Sequence, residues 1–180
     1  QYGLGKALLY PLREWFAETG FSGPVQVTGI YRRKRWHVLE YNVRLGVTSG
    51  AIFLRMMKNP AKVLMEVASG KIPRIEWRKG LGFGCSVTLA GYGYPYTKIS
   101  GPELPVKVTG KINCDLWWNE VRAEGKQLLA TGHRIADVVG IGQDKNSAIE
   151  LAMSNIKKLS SLASYYREDV GQSLWPPGTV

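Results

Sequence analysis

Three polar side chains at alternate positions of one predicted strand are the residues in this sequence best suited to chemistry. They are Glu40, Asn42 and Arg44. Because successive side chains of a strand point to opposite sides of the sheet, this spacing predicts that all three project from one face. Carboxylate and amide oxygens are ligands that Mg²⁺ selects, and a guanidinium can bind a carboxylate or phosphate through two hydrogen bonds. The alternative is an ordinary polar strand face, which the spacing by itself favours because alternating polar residues are common on strands.

The segment that carries these residues resembles a known catalytic strand. Its sequence over residues 39–46, Leu-Glu-Tyr-Asn-Val-Arg-Leu-Gly, is similar to the last catalytic strand of the ATP-grasp superfamily. It is most similar to the Leu-Glu-Phe-Asn-x-Arg-Phe-Gly stretch of the glycinamide ribonucleotide synthetase family. The resemblance implies that Glu40 and Asn42 hold the Mg²⁺ (or Mn²⁺) that bridges the phosphates of ATP, the co-substrate. It also implies that Arg44 is a catalytic, substrate-binding residue beside the phosphoryl-accepting substrate, and that Gly46 contributes to substrate binding.

Three further patches extend the resemblance, in the order in which that family has them. Residues 91–98 (Gly-Tyr-Gly-Tyr-Pro-Tyr-Thr-Lys) resemble the Gly-Tyr-Pro-Gly-Asp-Tyr-x-Lys loop that opens the family's small carboxy-terminal domain. Residues 131–135 (Thr-Gly-His-Arg-Ile) resemble its Gly-Gly-Arg-Val strand start, and residues 166–171 (Tyr-Arg-Glu-Asp-Val-Gly) resemble its closing Tyr-Arg-x-Asp-Ile-Gly. Each patch is short, and it is their common order that makes the resemblance specific.

Several positions depart from the family pattern and bear on the substrate. The segment Val47-Thr-Ser-Gly50 stands where the family has an Asp-Pro-Glu that helps to form the substrate site, so both acids are missing. The Gly-Tyr-Pro loop lacks its Gly-Asp pair, and Trp118 stands about where the family has a histidine. The strand before the catalytic one offers only the uncharged Gln26 and Thr28, where a second metal-binding carboxylate is common in ATP-grasp enzymes.

The resemblance implies part of an ATP-dependent carbon–nitrogen ligase of purine biosynthesis, which joins glycine to phosphoribosylamine to form glycinamide ribonucleotide. The implied partners are ATP and these small molecules, together with the amino-terminal and lid domains of the same protein. The sequence shows neither those domains nor a Gly-x-x-x-x-Gly-Lys-Ser/Thr loop in their place. The chain alone is expected to be inactive, because phosphoryl transfer needs donors on several sides of the phosphates.

Two other functions stay open. One is a diverged ATP-grasp ligase with another carboxylate or amine substrate, as the missing acids suggest. The other is a non-catalytic basic module that binds nucleic acid, since the net charge of +10 favours an acidic partner. The densest basic run, Arg32-Arg33-Lys34-Arg35 with aromatic neighbours, is typical of a solvated hairpin tip, so nucleic acid is the less favoured partner.

The elements that must position the metal pair are expected in the first 70 residues. Apolar spacing predicts helices, alternation predicts strands, and Asn59 is a suitable cap for a helix that begins at Pro60. The predicted elements are a helix over 4–19, strands over 25–31 and 36–45, and helices over 51–57 and 60–70.

The second half of the sequence predicts mainly short strands and one final helix. Ser147 and Glu150 have the spacing of a capping box at the start of that helix. The expected strands cover 85–90, 106–112, 116–122, 127–130 and 135–141, with a hairpin turn at 123–126 and the helix over 146–162.

The fold class that follows is α+β. The end of an ATP-grasp sheet with flanking helices is expected over 1–70, followed by a linker over 71–84. A small, mostly antiparallel β domain backed by the last helix is expected over 85–171, and a tail over 172–180.

The remaining features bear on location. No apolar run approaches the roughly 20 residues needed to cross a bilayer, and no charged-then-apolar leader opens the chain. No membrane partner and a cytoplasmic location are therefore expected. Cys85 and Cys114 lie in no CxxC or zinc-like spacing and are predicted to be reduced, buried thiols. The chain begins with glutamine and is expected to be a piece of a longer protein.

Overall fold

The structure, a computed structural model, describes residues 3–96 and 101–172. The chain divides into two units: Gln1–Gly50 with Met57–Glu76, and Ala51–Met56 with Trp77–Val180. The second unit therefore takes in residues 51–56, which the sequence predicts in the first domain. Thr97 and Lys98 of the tyrosine-rich loop, and most of the predicted tail, lie outside the described residues.

The first unit begins with three short helical segments instead of one predicted helix over 4–19. They are α1 (Leu4–Leu8), a 3-10 turn (Tyr10–Leu12) and α2 (Arg13–Glu18). Pro11 lies in the first turn of the 3-10 segment. Because proline has no N–H and disfavours an α-helical conformation in the residue before it, it divides what the apolar spacing alone would join.

An antiparallel pair of strands follows, β1 (Gln26–Arg32) and β2 (Arg35–Asn42), as the alternation predicts. The connecting turn has two residues, Arg33 and Lys34, with φ angles of 50° and 62°. The pairing shifts register between Thr28 and Gly29, which is the mark of a β-bulge. The second strand ends at Asn42, three residues before the predicted end.

Two helices complete this part of the chain, α3 (Val47–Met56) and α4 (Pro60–Ala68). Helix α3 begins four residues earlier than the sequence predicts, so the segment that replaces the family's acids forms its first turn. Helix α4 begins at the predicted proline, but Asn59 makes no side-chain capping hydrogen bond. Asn59 therefore occupies the N-cap position and the helix start is confirmed, although the asparagine side chain does not cap the helix.

The second unit contains two antiparallel sheets. One has the strand order β3–β8–β5 and the other β6–β7–β4–β9. The strands are β3 (Phe83–Ala90), β4 (Leu104–Val108), β5 (Asp115–Trp118), β6 (Val121–Glu124), β7 (Gln127–Ala130), β8 (Arg134–Gly142) and β9 (Leu159–Ser160).

The predicted strand over 116–122 is in fact two strands that belong to different sheets. Between them the backbone of Glu120 donates to the Arg134 carbonyl and accepts from the Thr131 amide, at 2.9 and 2.8 Å. At these two hydrogen bonds the chain passes from the sheet that contains β5 to the sheet that contains β6. The sequence pattern missed the change because Asn119 and Glu120, which separate the two strands, include no glycine or proline to mark a break.

Helix α5 (Lys145–Ile156) covers strands β3 and β8 and closes the core. Its cap is Asp144, whose carboxylate accepts the Ser147 amide at 2.9 Å. The predicted Ser147–Glu150 capping box is therefore wrong. The capping box is formed by Asp144 and Ser147, and the serine occupies the third helical position instead of the cap. The almost fully buried apolar side chains of this core cluster are Val87, Leu89, Ile135, Ala136, Val138, Ala148, Ala152 and Ile156.

Both cysteines lie in the second unit and neither is in a disulfide. Cys85 is buried and Cys114 is half-buried, and this burial raises the pKa of both thiols. They are therefore neutral thiols rather than reactive thiolates. Across residues 3–96 and 101–172, the helices are too short or too polar for any of them to cross a bilayer.

Candidate functional site

The pairing of β1 with β2 places four uncharged or acidic polar residues on one face of the hairpin. Thr28 lies opposite Glu40, and Gln26 lies opposite Asn42. Residues directly opposite each other in an antiparallel pair point to the same side, as do residues two apart in one strand. These four residues are called the polar face below. Glu40 and Asn42 therefore share one side of the hairpin.

Glu40 is exposed, and Asn42 is half-buried. The Thr28 hydroxyl lies 3.5 Å from Glu40 Oε1, at the outer limit of a hydrogen bond. Among the described residues no lysine or arginine forms an ion pair with this carboxylate. The carboxylate is thus available to a cation from outside the chain.

Arg44 is not part of the strand, so the predicted extension of the strand through this residue is wrong, and its place on the same face as Glu40 and Asn42 stays a prediction. Strand β2 ends at Asn42, and a bend carries the chain through Arg44 towards α3. The guanidinium is exposed, and its Nη1 donates to the Leu45 carbonyl at 3.1 Å. Because the strand alternation has ended, the position of this side chain depends on the bend and not on the pleat.

Gly46 is buried beside the polar face. A Cβ at this position would collide with Gln26 Oε1 and Ser49 Oγ, which are joined by a hydrogen bond of 2.9 Å. The glycine therefore lets the start of α3 approach β1 closely. Any contact of Gly46 with a substrate has to come from its backbone, and its substrate-binding role stays a prediction.

The polar face fits Mg²⁺ only if the ion brings other ligands with it. No group of three or more histidine, cysteine, aspartate or glutamate side chains suited to a metal occurs in the described part of the chain. Glu40 offers one charged oxygen donor, and the amide of Asn42 offers a neutral one. Mg²⁺ commonly takes one or two carboxylates and completes its shell with water and phosphate oxygens. The donor set thus suits an ion shared with a nucleotide.

In the second unit, the patches that resemble the synthetase family lie next to one another. The Gly91 amide donates to the His133 carbonyl at 2.8 Å, and His133 Nδ1 lies 3.1 Å from the Tyr92 carbonyl. The Tyr165 hydroxyl donates to the Tyr94 carbonyl. A cavity of about 400 Å³ lies beside them, and Tyr92 and His133 of these patches line it together with Glu103.

A buried polar cluster in the same unit escaped the sequence analysis. Asp137 is 1% exposed in the middle of β8. Its carboxylate accepts from Thr88 and from Asn119 Nδ2, the latter at 2.8 Å, and lies 3.5 Å from an Arg134 Nη2. The signal that would have revealed it is a single acid within the apolar run of residues 135–139, since a buried charge requires partners.

This chain is similar to known proteins over most of its length. The family model described as "Phosphoribosylglycinamide synthetase, C domain" matches residues 84–173. A phosphoribosylamine–glycine ligase of Fusobacterium nucleatum is 32% identical over 143 residues, which cover 75% of this chain and 33% of that protein. The ligase of Clostridium acetobutylicum is 30% identical over 158 residues, covering 85% of this chain and 36% of the relative.

A solved structure agrees with these relatives. The crystal structure of phosphoribosylamine–glycine ligase from Thermotoga maritima at 2.30 Å resolution matches with a TM-score of 0.63 and 26% identity. The match covers 81% of this chain and 36% of that one. The chain thus spans about one third of the length of the relatives it matches. Since the family model covers half of its residues, this chain belongs to the phosphoribosylglycinamide synthetase C-domain family.

Proposed function

We propose that this chain is the carboxy-terminal part of an ATP-dependent phosphoribosylamine–glycine ligase of purine biosynthesis, acting in the cytoplasm. The observation that carries the proposal is the shared, accessible face on which Glu40 and Asn42 lie two residues apart. The names of the relatives support the reaction class. The amino-terminal and lid domains of the complete protein would supply the remaining contacts to ATP, so the chain by itself is expected to be inactive.

In this proposal the polar face holds one side of the nucleotide. Glu40 and Asn42 would hold Mg²⁺, which neutralises charge on the phosphates of ATP when it is bound. The free carboxylate of Glu40 gives this side of the site its negative charge. The Thr28 hydroxyl on the neighbouring strand lies 3.5 Å from that carboxylate.

Arg44 orients the acceptor. Its exposed guanidinium would bind the glycine carboxylate, one oxygen of which attacks the terminal phosphorus of ATP and releases ADP. The resulting acyl phosphate is then attacked by the amine of phosphoribosylamine, which forms the amide bond and releases phosphate. A guanidinium binds both the carboxylate and the phosphate in two-pronged geometry, so the same side chain serves both steps.

A diverged ligase with another carboxylate or amine is the second candidate. The observation that favours it is the first turn of α3, which begins at Val47 and carries no acidic residue. In the resembling family an Asp-Pro-Glu stands there and helps to form the substrate site. The loss of both charges changes what the site can recognise without touching Glu40 or Asn42.

The test uses the complete gene product that carries this sequence. Phosphate release is measured with ATP, Mg²⁺, glycine and phosphoribosylamine, with each component omitted in turn. Glu40→Gln and Asn42→Ala should each lower kcat/KM by about 100-fold, the size of effect seen when one preorganised charge-stabilising contact is removed. Raising the Mg²⁺ concentration should recover part of the activity, because a metal ligand is lost.

The matched control is Glu18→Gln, which removes the same charge from an exposed position in α2 of the same unit. It should leave kcat/KM unchanged. Wild-type activity in Glu40→Gln would contradict the assignment of the metal pair. Activity that depends on ATP but is not supported by glycine or phosphoribosylamine would favour the diverged ligase. The absence of any ATP-dependent reaction would contradict both candidate functions.

A further inference from the structure

The tip of the β1–β2 hairpin concentrates positive charge. Arg32, Arg33, Lys34 and Arg35 are consecutive, and all four side chains are exposed. None of these four forms an ion pair with an acidic residue of the described chain. This set of four residues is called the basic tip below. These four positive charges are part of the chain's net charge of +10.

The backbone of the basic tip is strained. Arg33 and Lys34 both adopt left-handed conformations, with φ angles of 50° and 62°. Two-residue hairpin turns of this kind strongly prefer Asn-Gly or Asp-Gly, because residues with a Cβ resist positive φ. An arginine and a lysine are therefore unfavourable choices for the two turn positions.

The charges of the basic tip also oppose one another. Arg32 and Arg35 are direct cross-strand partners, immediately beside the turn. Like charges directly opposite each other destabilise an antiparallel pair. The sequence thus violates two local rules within four residues. Such violations are expected where a site serves function rather than folding.

An aromatic pair lies directly beneath the basic tip. Tyr31 and Trp36 are cross-strand partners whose ring centroids are 5.1 Å apart, with 57° between the ring planes. Tyr31 is 41% exposed. Cationic side chains next to an accessible aromatic ring match the needs of single-stranded nucleic acid, since cations contact phosphates and rings stack on bases.

We propose that the basic tip and Tyr31 form a binding site for single-stranded nucleic acid. The four cations contact backbone phosphates, and the tyrosine ring supplies a stacking surface for one base. This binding activity goes beyond the ligase reaction and does not depend on it, because none of its residues belongs to the polar face. A membrane surface is the poorer match, since the four tip residues present no apolar side chain for insertion.

The experiment measures fluorescence anisotropy of labelled oligothymidylate and oligouridylate of about 20 nucleotides, titrated with the 180-residue chain. Each phosphate contact to a single strand contributes about −0.7 to the slope of log affinity against log salt. Four contacts therefore predict a slope near −2.8. That slope corresponds to about 50-fold weaker binding at about 200 mM salt than at about 50 mM. Comparison of the two oligomers shows whether DNA or RNA is preferred.

The decisive variant is the double substitution Arg33→Asn, Lys34→Gly. It removes two charges and places the preferred turn sequence on the same backbone, so the hairpin is expected to form at least as well as before. Its salt slope should fall by about 1.4, leaving only about sevenfold weakening over the same salt range. A thermal unfolding curve checks that the variant is folded.

The matched control is Lys107→Asn with Lys126→Gly. Both lysines are exposed, and Lys126 occupies a two-residue hairpin turn in the second unit. The control therefore lowers the net charge by the same amount, with one change in a two-residue hairpin turn and the other in strand β4, and it should keep the wild-type slope. Equal slopes in the tip variant and this control would overturn the proposal, because the binding would then follow net charge alone.

The variant Tyr31→Leu distinguishes binding of a nucleic acid from binding of a polyanion that has no bases. Loss of base stacking should weaken oligonucleotide binding about fivefold or more while leaving the salt slope unchanged. Binding of heparin, which has no bases, should not change. Equal weakening with both ligands, or tighter binding to anionic lipid vesicles than to either oligonucleotide, would contradict the proposed ligand.

Discussion

At the scale of single residues, Gly140 shows how closely strand β8 and helix α5 approach each other. A Cβ at this glycine would collide with the Ala148 carbonyl oxygen and lie 2.7 Å from the Ala152 amide nitrogen. Both atoms belong to a helix backbone that cannot give way. Gly140→Ala should therefore lower the free energy of unfolding by about 3 kcal/mol, as overpacking of a closely packed site does. Urea unfolding followed by circular dichroism measures the change.

Gly91→Ala is the matched control for this substitution. Gly91 is also buried in the second unit, but the nearest atoms to an added Cβ lie at 3.6 Å, which is ordinary contact. Its free energy of unfolding should change by less than about 1 kcal/mol. If Gly140→Ala and Gly91→Ala were equally stable, this would contradict the close approach of β8 to α5 at Gly140.

At the scale of elements, the amino terminus of α5 predicts a dependence of stability on pH. Hydrogen bonds from the Ser147 backbone and hydroxyl lower the pKa of Asp144 below its ordinary value of 3.8. A carboxylate whose pKa is lower in the folded than in the unfolded state stabilises the folded state at pH values above the unfolded-state pKa. That stabilisation is lost as pH falls through the folded pKa. Thermal unfolding of Asp144→Ala should therefore show a lower Tm than the parent near neutral pH.

The difference in Tm between Asp144→Ala and the parent should become smaller in acid, because the parent loses its charged cap there. Asp144→Asn is the informative companion, because asparagine caps a helix about as well as aspartate but does not titrate. Its Tm should stay close to that of the parent near neutral pH and show a weaker acid dependence. A gap between parent and alanine variant that stays constant from neutral pH to below pH about 3 would contradict this account of the cap.

At the scale of the whole molecule, the two units differ in how much they bury. In the described part of the first unit, the buried apolar side chains are Met57 and Val63, whereas Leu39 and Val43 are each 61% exposed. A two-stranded sheet by itself is marginally stable in water. Amide hydrogens of β1 and β2 should therefore exchange about 100-fold faster, or more, than those of β3 and β8, a gap of roughly 3 kcal/mol.

Hydrogen exchange read by NMR or mass spectrometry tests this difference. The β3–β8 pair is a suitable reference because its strands are about as long as β1 and β2. In the complete gene product, protection of β1 and β2 should rise as other domains cover their exposed apolar side chains. Equal protection of both strand pairs in the 180-residue chain would show that the first unit is stable without further cover.

Much of the candidate site follows from sequence because it depends on local periodicity. The alternation over residues 38–44 was enough to predict that Glu40 and Asn42 share a face, and strand β2 places both on one side of the hairpin. The predicted continuation of the strand through Arg44 is wrong, because a strand ends where its partner strand stops pairing. Gln26 is the first residue of β1 and lies opposite Asn42, so no ladder remains to hold residue 44.

The features that sequence patterns missed depend on contacts between distant residues. The cluster around Asp137 brings together Thr88, Asn119 and Arg134 from separate segments. The cap of α5 is Asp144 and not the predicted Ser147. A serine can be the cap or the third residue of a helix, and only the backbone geometry distinguishes these two positions. The strain of Arg33 and Lys34 is likewise visible only as dihedral angles.

The amino-acid sequence by itself determined the fold class, the family resemblance and the residue pair at the heart of the polar face. These properties follow from residue type and short spacing, which act within one element. Tertiary structure alone decided where strand β2 ends, which buried acid acquires partners, and that the basic tip combines opposed charges with a left-handed turn. Those outcomes depend on pairing register and on burial, and both are set by residues far apart in the chain.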